Sequence, residues 1–118
     1  MSLSPTEIRV DRAAKQLVVA FDDGVRFVMG AEYLRVLSPS AEVQGHAPGE
    51  RRTVFGRRHV GITDLEPVGH YAVRIIFDDL HDTGIYSWEY LLSLGREHGE
   101  RWRAYLDELA SKGLSRDP

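Results

Sequence analysis

Two apolar runs, residues 16–21 (QLVVAF) and 25–29 (VRFVM), are separated only by Asp22-Asp23-Gly24, and this spacing restricts the chain more than any other feature. Asp-Gly between strand-like runs signals a hairpin, because both residues tolerate the positive φ that tight hairpin turns demand. So short a tether forces the two runs to pair antiparallel. The preceding TEIRVD alternates polar and apolar, with Ile8 and Val10 on one face, and reads as a further strand, with RAAK as its turn. QLVVAF, the most apolar of the three, is expected to be central in an antiparallel meander.

GAEYLRVLS then predicts a short helix, ended by Ser38-Pro39-Ser40 because proline lacks an N–H and restricts its predecessor. Residues 41–59 carry glycine, proline and charge without period and read as a long loop, a kind of segment that often has a function of its own. VGITDLEPVG and HYAVRIIFDD read as two strands joined by a turn at Pro67-Val68-Gly69. In the second, Tyr71, Val73, Ile75 and Phe77 are expected on one face and Ile76 on the other. HDTG turns the chain, IYSW opens a new element, and SWEYLLSLG is a short helix with Ser87 as N-cap and Gly95 as its end. Over residues 98–112, Trp102, Tyr105, Leu106 and Leu109 fall at i, i+3, i+4 and i+7, an amphipathic helix closed by Lys112 and Gly113. LSRDP is expected to fray. Strands first, then strands with helices, predict an α+β fold: a small, mainly antiparallel β-sheet domain with short helices and a C-terminal amphipathic helix. At 118 residues the chain is expected to form a single domain, 1–118.

Composition narrows the function. A net charge of −3 argues against general binding to nucleic acid or anionic membrane. With no cysteine, disulfides, thiol catalysis and thiolate metal sites are excluded. No apolar stretch approaches the roughly 20 residues of a membrane span, and MSLSPTEIRVDR lacks a signal-peptide pattern. The expectation is a cytoplasmic protein.

The densest polar cluster is FDDLHDTGIYSW, where Asp78, Asp79, His81 and Asp82 have the chemistry of ligands for a divalent cation; the alternative is a turn held by Asp side chains. None of the five histidines stands in an H-E-x-x-H or i, i+4 pair. Arg51, Arg52, Arg57, Arg58 and His59 surround Phe55 and could grip a phosphate or an acidic surface, since guanidinium forks bind oxyanions; the alternative is a solvated loop flank. No phosphate-binding glycine loop and no G-x-S-x-G elbow is present, so no enzyme activity is expected.

FDDG…FVMGAEYLRVLSPSAEV followed by GITDLEPVGHYAVRIIFDDLHDTGIYSWEYLLSLG resembles the gamma-butyrobetaine hydroxylase N-terminal-like family, also called domain of unknown function 971, over about residues 6–95. The resemblance implies three settings: a free-standing bacterial protein, the N-terminal domain of carnitine-pathway oxygenases, and an appendage on ATPases that carry iron–sulfur clusters. In zinc-bearing members, a C-x-C-x-x-C after LR and the histidine of D.H.TGIY hold the metal. The matching positions here are Ser38, Ser40, Val43 and His81, of which only the histidine is a zinc ligand. No metal and no cofactor is therefore expected, with Val43 packed inward and Ser38 or Ser40 bonded to His81 or to backbone. The leading expectation is a non-enzymatic interaction domain with a protein partner or a second copy. Accessory work in iron–sulfur assembly and small-anion or metabolite binding through the arginine-rich loop are the alternatives. The candidate binding residues are Arg51, Arg52, Arg57, Arg58, His59, Asp78, Asp79 and His81.

Overall fold

The computed structural model describes residues 4–47 and 49–118. Strands β1 (Pro5–Asp11), β2 (Gln16–Phe21) and β3 (Arg26–Gly30) form an antiparallel sheet with β2 in the centre. At the Asp22-Asp23-Gly24 turn, Gly24 has φ 88° and the Asp23 carboxylate accepts from the Val25 N–H at 3.0 Å. A second antiparallel sheet contains β4 (Ile62–Val68), β5 (Ala72–Phe77) and β6 (Ile85–Ser87), with β5 in the middle. The sheets meet along β1 and β4, where Arg12 donates through Nε and Nη2 to the Thr63 carbonyl at 3.2 and 2.7 Å. This is the expected α+β architecture, with the helices α1 (Ala31–Val36), α2 (Ala41–Gln44), α3 (Trp88–Arg96) and α4 (His98–Lys112).

Leu17, Val19, Ile75, Phe77, Tyr86 and Leu91, from both sheets and α3, share one core, into which α1 is sunk along its whole length. So short a helix leaves most of its C-terminal carbonyls without intrahelical partners. Tyrosines supply them: Tyr86 Oη donates to the Leu34 carbonyl at 2.6 Å and Tyr90 Oη to the Leu37 carbonyl at 2.5 Å. A third, Tyr33, donates from α1 to the Leu94 carbonyl of α3 at 2.7 Å, and burial pushes its hydroxyl up to about 12.

Several local expectations are corrected. Within the expected 41–59 loop, Ser40 caps α2 by accepting from the Glu42 N–H at 3.2 Å, so one helical turn forms. The turn expected at Pro67-Val68-Gly69 lies two residues later, over residues 69–71. Pro67 belongs to β4, an edge strand, where its missing N–H is tolerated. Tyr71 is consequently a turn residue, 60% exposed and outside the alternation that buries Val73, Ile75 and Phe77. Gly95 does not end α3 but sits inside it, because a β-carbon there would overlap the Phe27 ring of β3. On α4, Tyr105 and Leu109 are buried and Trp102 half-buried, while Leu106 is exposed. The helix rests on Val36, Leu37 and Val54, a narrower apolar strip than its own stripe.

The tail 114–118 is docked rather than frayed. Gly56 N donates to the Ser115 carbonyl at 2.9 Å and Arg58 N to the Arg116 carbonyl at 3.0 Å. Arg116 forks onto the buried Glu32 carboxylate through Nε at 2.9 Å and Nη2 at 2.6 Å, with its guanidinium 5.0 Å above the Trp102 ring. This contact returns the chain end to α1.

These packing differences predict three stability effects. Gly95→Ala should destabilise by about 1–3 kcal/mol through overpacking against Phe27. Gly99→Ala in α4, where an added β-carbon meets nothing, should be neutral or stabilise by up to about 1 kcal/mol. Urea denaturation of the pair separates the two effects. In the same assay, Arg116→Gln should cost about 1–3 kcal/mol by leaving the Glu32 carboxylate buried without its fork, and should increase hydrogen exchange at Gly56 and Arg58.

Candidate functional site

The end of α1, the first turn of α2 and the turn between β5 and β6 converge on His81. The Asp79 carboxylate accepts from the His81 N–H at 3.1 Å, and Leu80 takes φ 73° and is 91% exposed. A non-glycine residue in this left-handed region carries local strain, and the result here is to turn the next side chain inward. The His81 side chain is only 2% exposed. Nδ1 lies 3.1 Å from Glu42 Oε2 and Nε2 lies 2.8 Å from Ser38 Oγ.

A carboxylate at Nδ1 selects the tautomer with the proton on that nitrogen, so Nε2 accepts from the Ser38 hydroxyl. Ser38 Oγ in turn accepts from the Ser40 N–H at 3.2 Å. Ser40 Oγ lies 2.6 Å from Thr83 Oγ1, and Val43 is buried beside them. Gly84 is required by this arrangement, because a β-carbon there would lie 2.6 Å from Ser38 Oγ. Burial, then the positive charge of Arg35, hold the imidazole below its ordinary pKa and outweigh Glu42, which acts in the opposite direction.

Glu42, His81 and Ser38 thus have the order of an orienting acid, a base and a nucleophile. The chemistry does not follow, because Ser38 is fully buried and its oxygen already serves His81 and the Ser40 N–H. No surface of Ser38 is open for an acyl or phosphoryl group to approach.

Zinc does not fit the residues present. Tetrahedral zinc holds nitrogen or oxygen ligands at about 2.0–2.2 Å. Here Ser38 Oγ and His81 Nε2 are bonded directly at 2.8 Å, and Val43 offers no lone pair. Among the described residues, no three His, Cys, Asp or Glu side chains are grouped to hold a metal ion.

The other candidates divide. Asp79 Oδ2 accepts from Arg35 Nε at 2.8 Å and lies 2.8 Å from Arg57 Nε. Burial pushes the Asp79 carboxyl up, but the Arg35 hydrogen bond, the His81 N–H and the charges of Arg35 and Arg57 together hold it below its ordinary value. Asp78 faces the other way and accepts from the Gly61 N–H at 2.9 Å, while Asp82 is exposed. The arginines expected to form one patch are dispersed. Arg51 pairs with Glu108 of α4, Arg58 with Asp117 of the tail and Arg57 with Asp79, and His59 contributes its carbonyl to Lys15 Nζ at 2.8 Å. Arg51, Arg57 and Arg58 each meet an acid distant in sequence, which their clustering in the chain concealed, while the Arg52 side chain meets none among the described residues. Arg35 and Glu42, absent from the expected set, are central to the site; LR before the turn was the only local sign of the first.

The comparisons with known proteins bear on this site. The model of the family described as gamma-butyrobetaine hydroxylase-like, N-terminal, matches residues 8–92. The chain belongs to this family. Among solved structures, a protein with an NMR solution structure is 42% identical, with TM-score 0.87, covering 100% of this chain and 93% of that one. A second solution structure is also 42% identical, with TM-score 0.85, covering 99% and 87%. A crystal structure of a protein of unknown function from Acidithiobacillus ferrooxidans, in the domain of unknown function 971 family, is 38% identical, with TM-score 0.66, covering 78% and 92%. No curated protein matches. Every residue of the His81 cluster lies within the matched span.

The His81 environment predicts a pH signature. The unfolded chain takes up a proton near pH 6.5, before the folded one does. The stabilisation is therefore complete above about pH 6.5 and is lost as pH falls through the lower, folded value. Urea midpoints should fall between about pH 7.5 and about pH 5.5, and His81→Gln should flatten that difference while lowering stability at the higher pH. Ser38→Ala, which leaves Nε2 without its donor, should cost about 1–3 kcal/mol.

Proposed function

We propose that this domain is a non-catalytic binding module, acting through a protein partner or a second copy of itself. The observation that carries the reading is the burial of Ser38. The only acid–base–nucleophile arrangement recognised among the described residues is closed to substrate and serves as a cross-link between α1 and the β5–β6 turn. The family's use as a domain appended to larger enzymes, implied by the resemblance, is consistent with it. Two strands that close the sheets, β3 and β6, present apolar side chains outward, Val28 at 51% and Ile85 at 47% exposure, and strand edges with such side chains are suited to pairing with another chain.

Sedimentation velocity over a concentration series, and cross-linking with mass spectrometry in a bacterial lysate, test the proposal. Saturable self-association or one reproducible partner is expected, weakened by Val28→Lys or Ile85→Lys. Recovery of an ATPase that carries an iron–sulfur cluster would identify the partner as part of cluster assembly. A monomer at every concentration with no reproducible cross-link, or turnover of an ester or phosphoester panel that Ser38→Ala abolishes, would overturn it.

A further inference from the structure

Asp79 Oδ2 serves two guanidinium groups. Arg35 Nε donates to it at 2.8 Å, and Arg57 Nε lies at the same distance without its N–H directed at that oxygen, a coulombic contact rather than a hydrogen bond. Arg57 Nε and Arg35 Nη1 are consequently buried without an acceptor. The Arg35 side chain is only 10% exposed. Two cations thus share one carboxylate, and two of their donors are unsatisfied. Such donors in protein interiors are met by water or by an ion, because leaving them unpaired is costly.

Both arginines lie in the wall of an open cleft of about 700 Å³, bounded by α2, residues 45–46, Glu50 and residues 52–55, with His81 at one side. Arg52 lies on the same wall, and its side chain has no ion pair or hydrogen bond among the described residues. Glu42 and Glu50 also line the cleft; Glu42 is engaged with His81 Nδ1, and Glu50 accepts from the His46 N–H at 3.3 Å. Over the whole cleft Arg35, Arg52 and Arg57 are balanced by Asp79, Glu42 and Glu50. At the inner wall, however, Arg35 and Arg57 share only Asp79 and leave one positive charge in excess there, while the two glutamates repel any second negative charge. A second cleft, of about 570 Å³ beside α3 and α4, has no such demand. Its Arg51 is paired with Glu108, its Arg101 with Glu97, and its tyrosines Tyr90 and Tyr105 with backbone carbonyls.

We propose that the cleft beside His81 binds the carboxylate group of a small organic acid, held by Arg35 and Arg57 with Arg52 closing over it from the rim. A planar, singly charged carboxylate matches both the guanidinium fork and the single excess charge. The proposal is independent of the partner-binding reading, which concerns the outer strands.

Side-chain Nε–Hε signals of the arginines in ¹⁵N-labelled full-length protein, followed while sodium acetate is added at constant ionic strength against sodium chloride, test the site. Saturable shifts at Arg35 and Arg57 are expected with acetate, with weaker binding of inorganic phosphate. Arg52→Gln and Arg57→Gln, both at positions reaching solvent, should each weaken acetate binding by about tenfold. Shifts that grow linearly, match those in chloride or survive Arg57→Gln would overturn the site and leave water as the partner of the unpaired donors. Tighter saturation by phosphate than by acetate would overturn the carboxylate assignment.

Discussion

The hydrogen bond between Ser38 Oγ and His81 Nε2 joins residues 43 apart in sequence and fastens the end of α1 to the turn that leads into β6. Much of the centre of the molecule is arranged around it. Leu80 adopts a positive φ so that His81 can face inward, Gly84 leaves room for the serine oxygen, and Glu42 fixes the tautomer that lets the serine donate. Ser40 extends the link to Thr83, and Val43 is buried close by. In zinc-bearing relatives, as the resemblance implies, a metal makes this connection. A structural zinc contributes on the order of 10 kcal/mol, whereas each hydrogen bond contributes about 1 kcal/mol and a buried valine about 1.5–3 kcal/mol. The exchange therefore replaces one strong local tie with a weaker distributed one, supported by the core around it.

That support is visible at both ends of α1. The tyrosine hydroxyls of Tyr86 and Tyr90 satisfy its last carbonyls, and Arg116 returns from the chain terminus to its first turn through Glu32. A helix of six residues is too short to be stable by itself, so its position depends on these tertiary bonds. The Asp79 carboxylate adds a further layer, with the His81 N–H on one oxygen and Arg35 and Arg57 at the other. The same carboxylate thus orders the turn and leaves the arginines short of an acceptor, which places the Ser38–His81 link and the cleft on the two sides of one side chain.

Much of the fold was legible in the residues. The Asp22-Asp23-Gly24 hairpin, the central place of β2, the Ser87 cap and the full length of α4 follow from local turn chemistry and periodicity. The errors share a cause. Gly95 has the local character of a helix stop, but the nearness of Phe27 explains it; Pro67 resembles a turn residue, but an edge position admits it to β4. LSRDP has the composition of a loose end, yet Arg116 finds a buried carboxylate 84 residues earlier. In each case a contact remote in sequence outweighed the local preference.

For the site, sequence by itself determined which side chains are available: no thiol, one histidine in D.H.TGIY, serines at two of the knuckle positions and an arginine-rich segment before β4. That inventory rules out a thiolate zinc site, because the donor atoms are fixed by covalent structure. Which acids the arginines meet, that Arg35 and Glu42 stand beside His81, and that Ser38 is sealed from solvent were decided only by the tertiary structure. Ion pairing and burial depend on separation in space, and here the partners come from α1, α2, the β5–β6 turn, α4 and the tail, whose approach is set by the packing of the core.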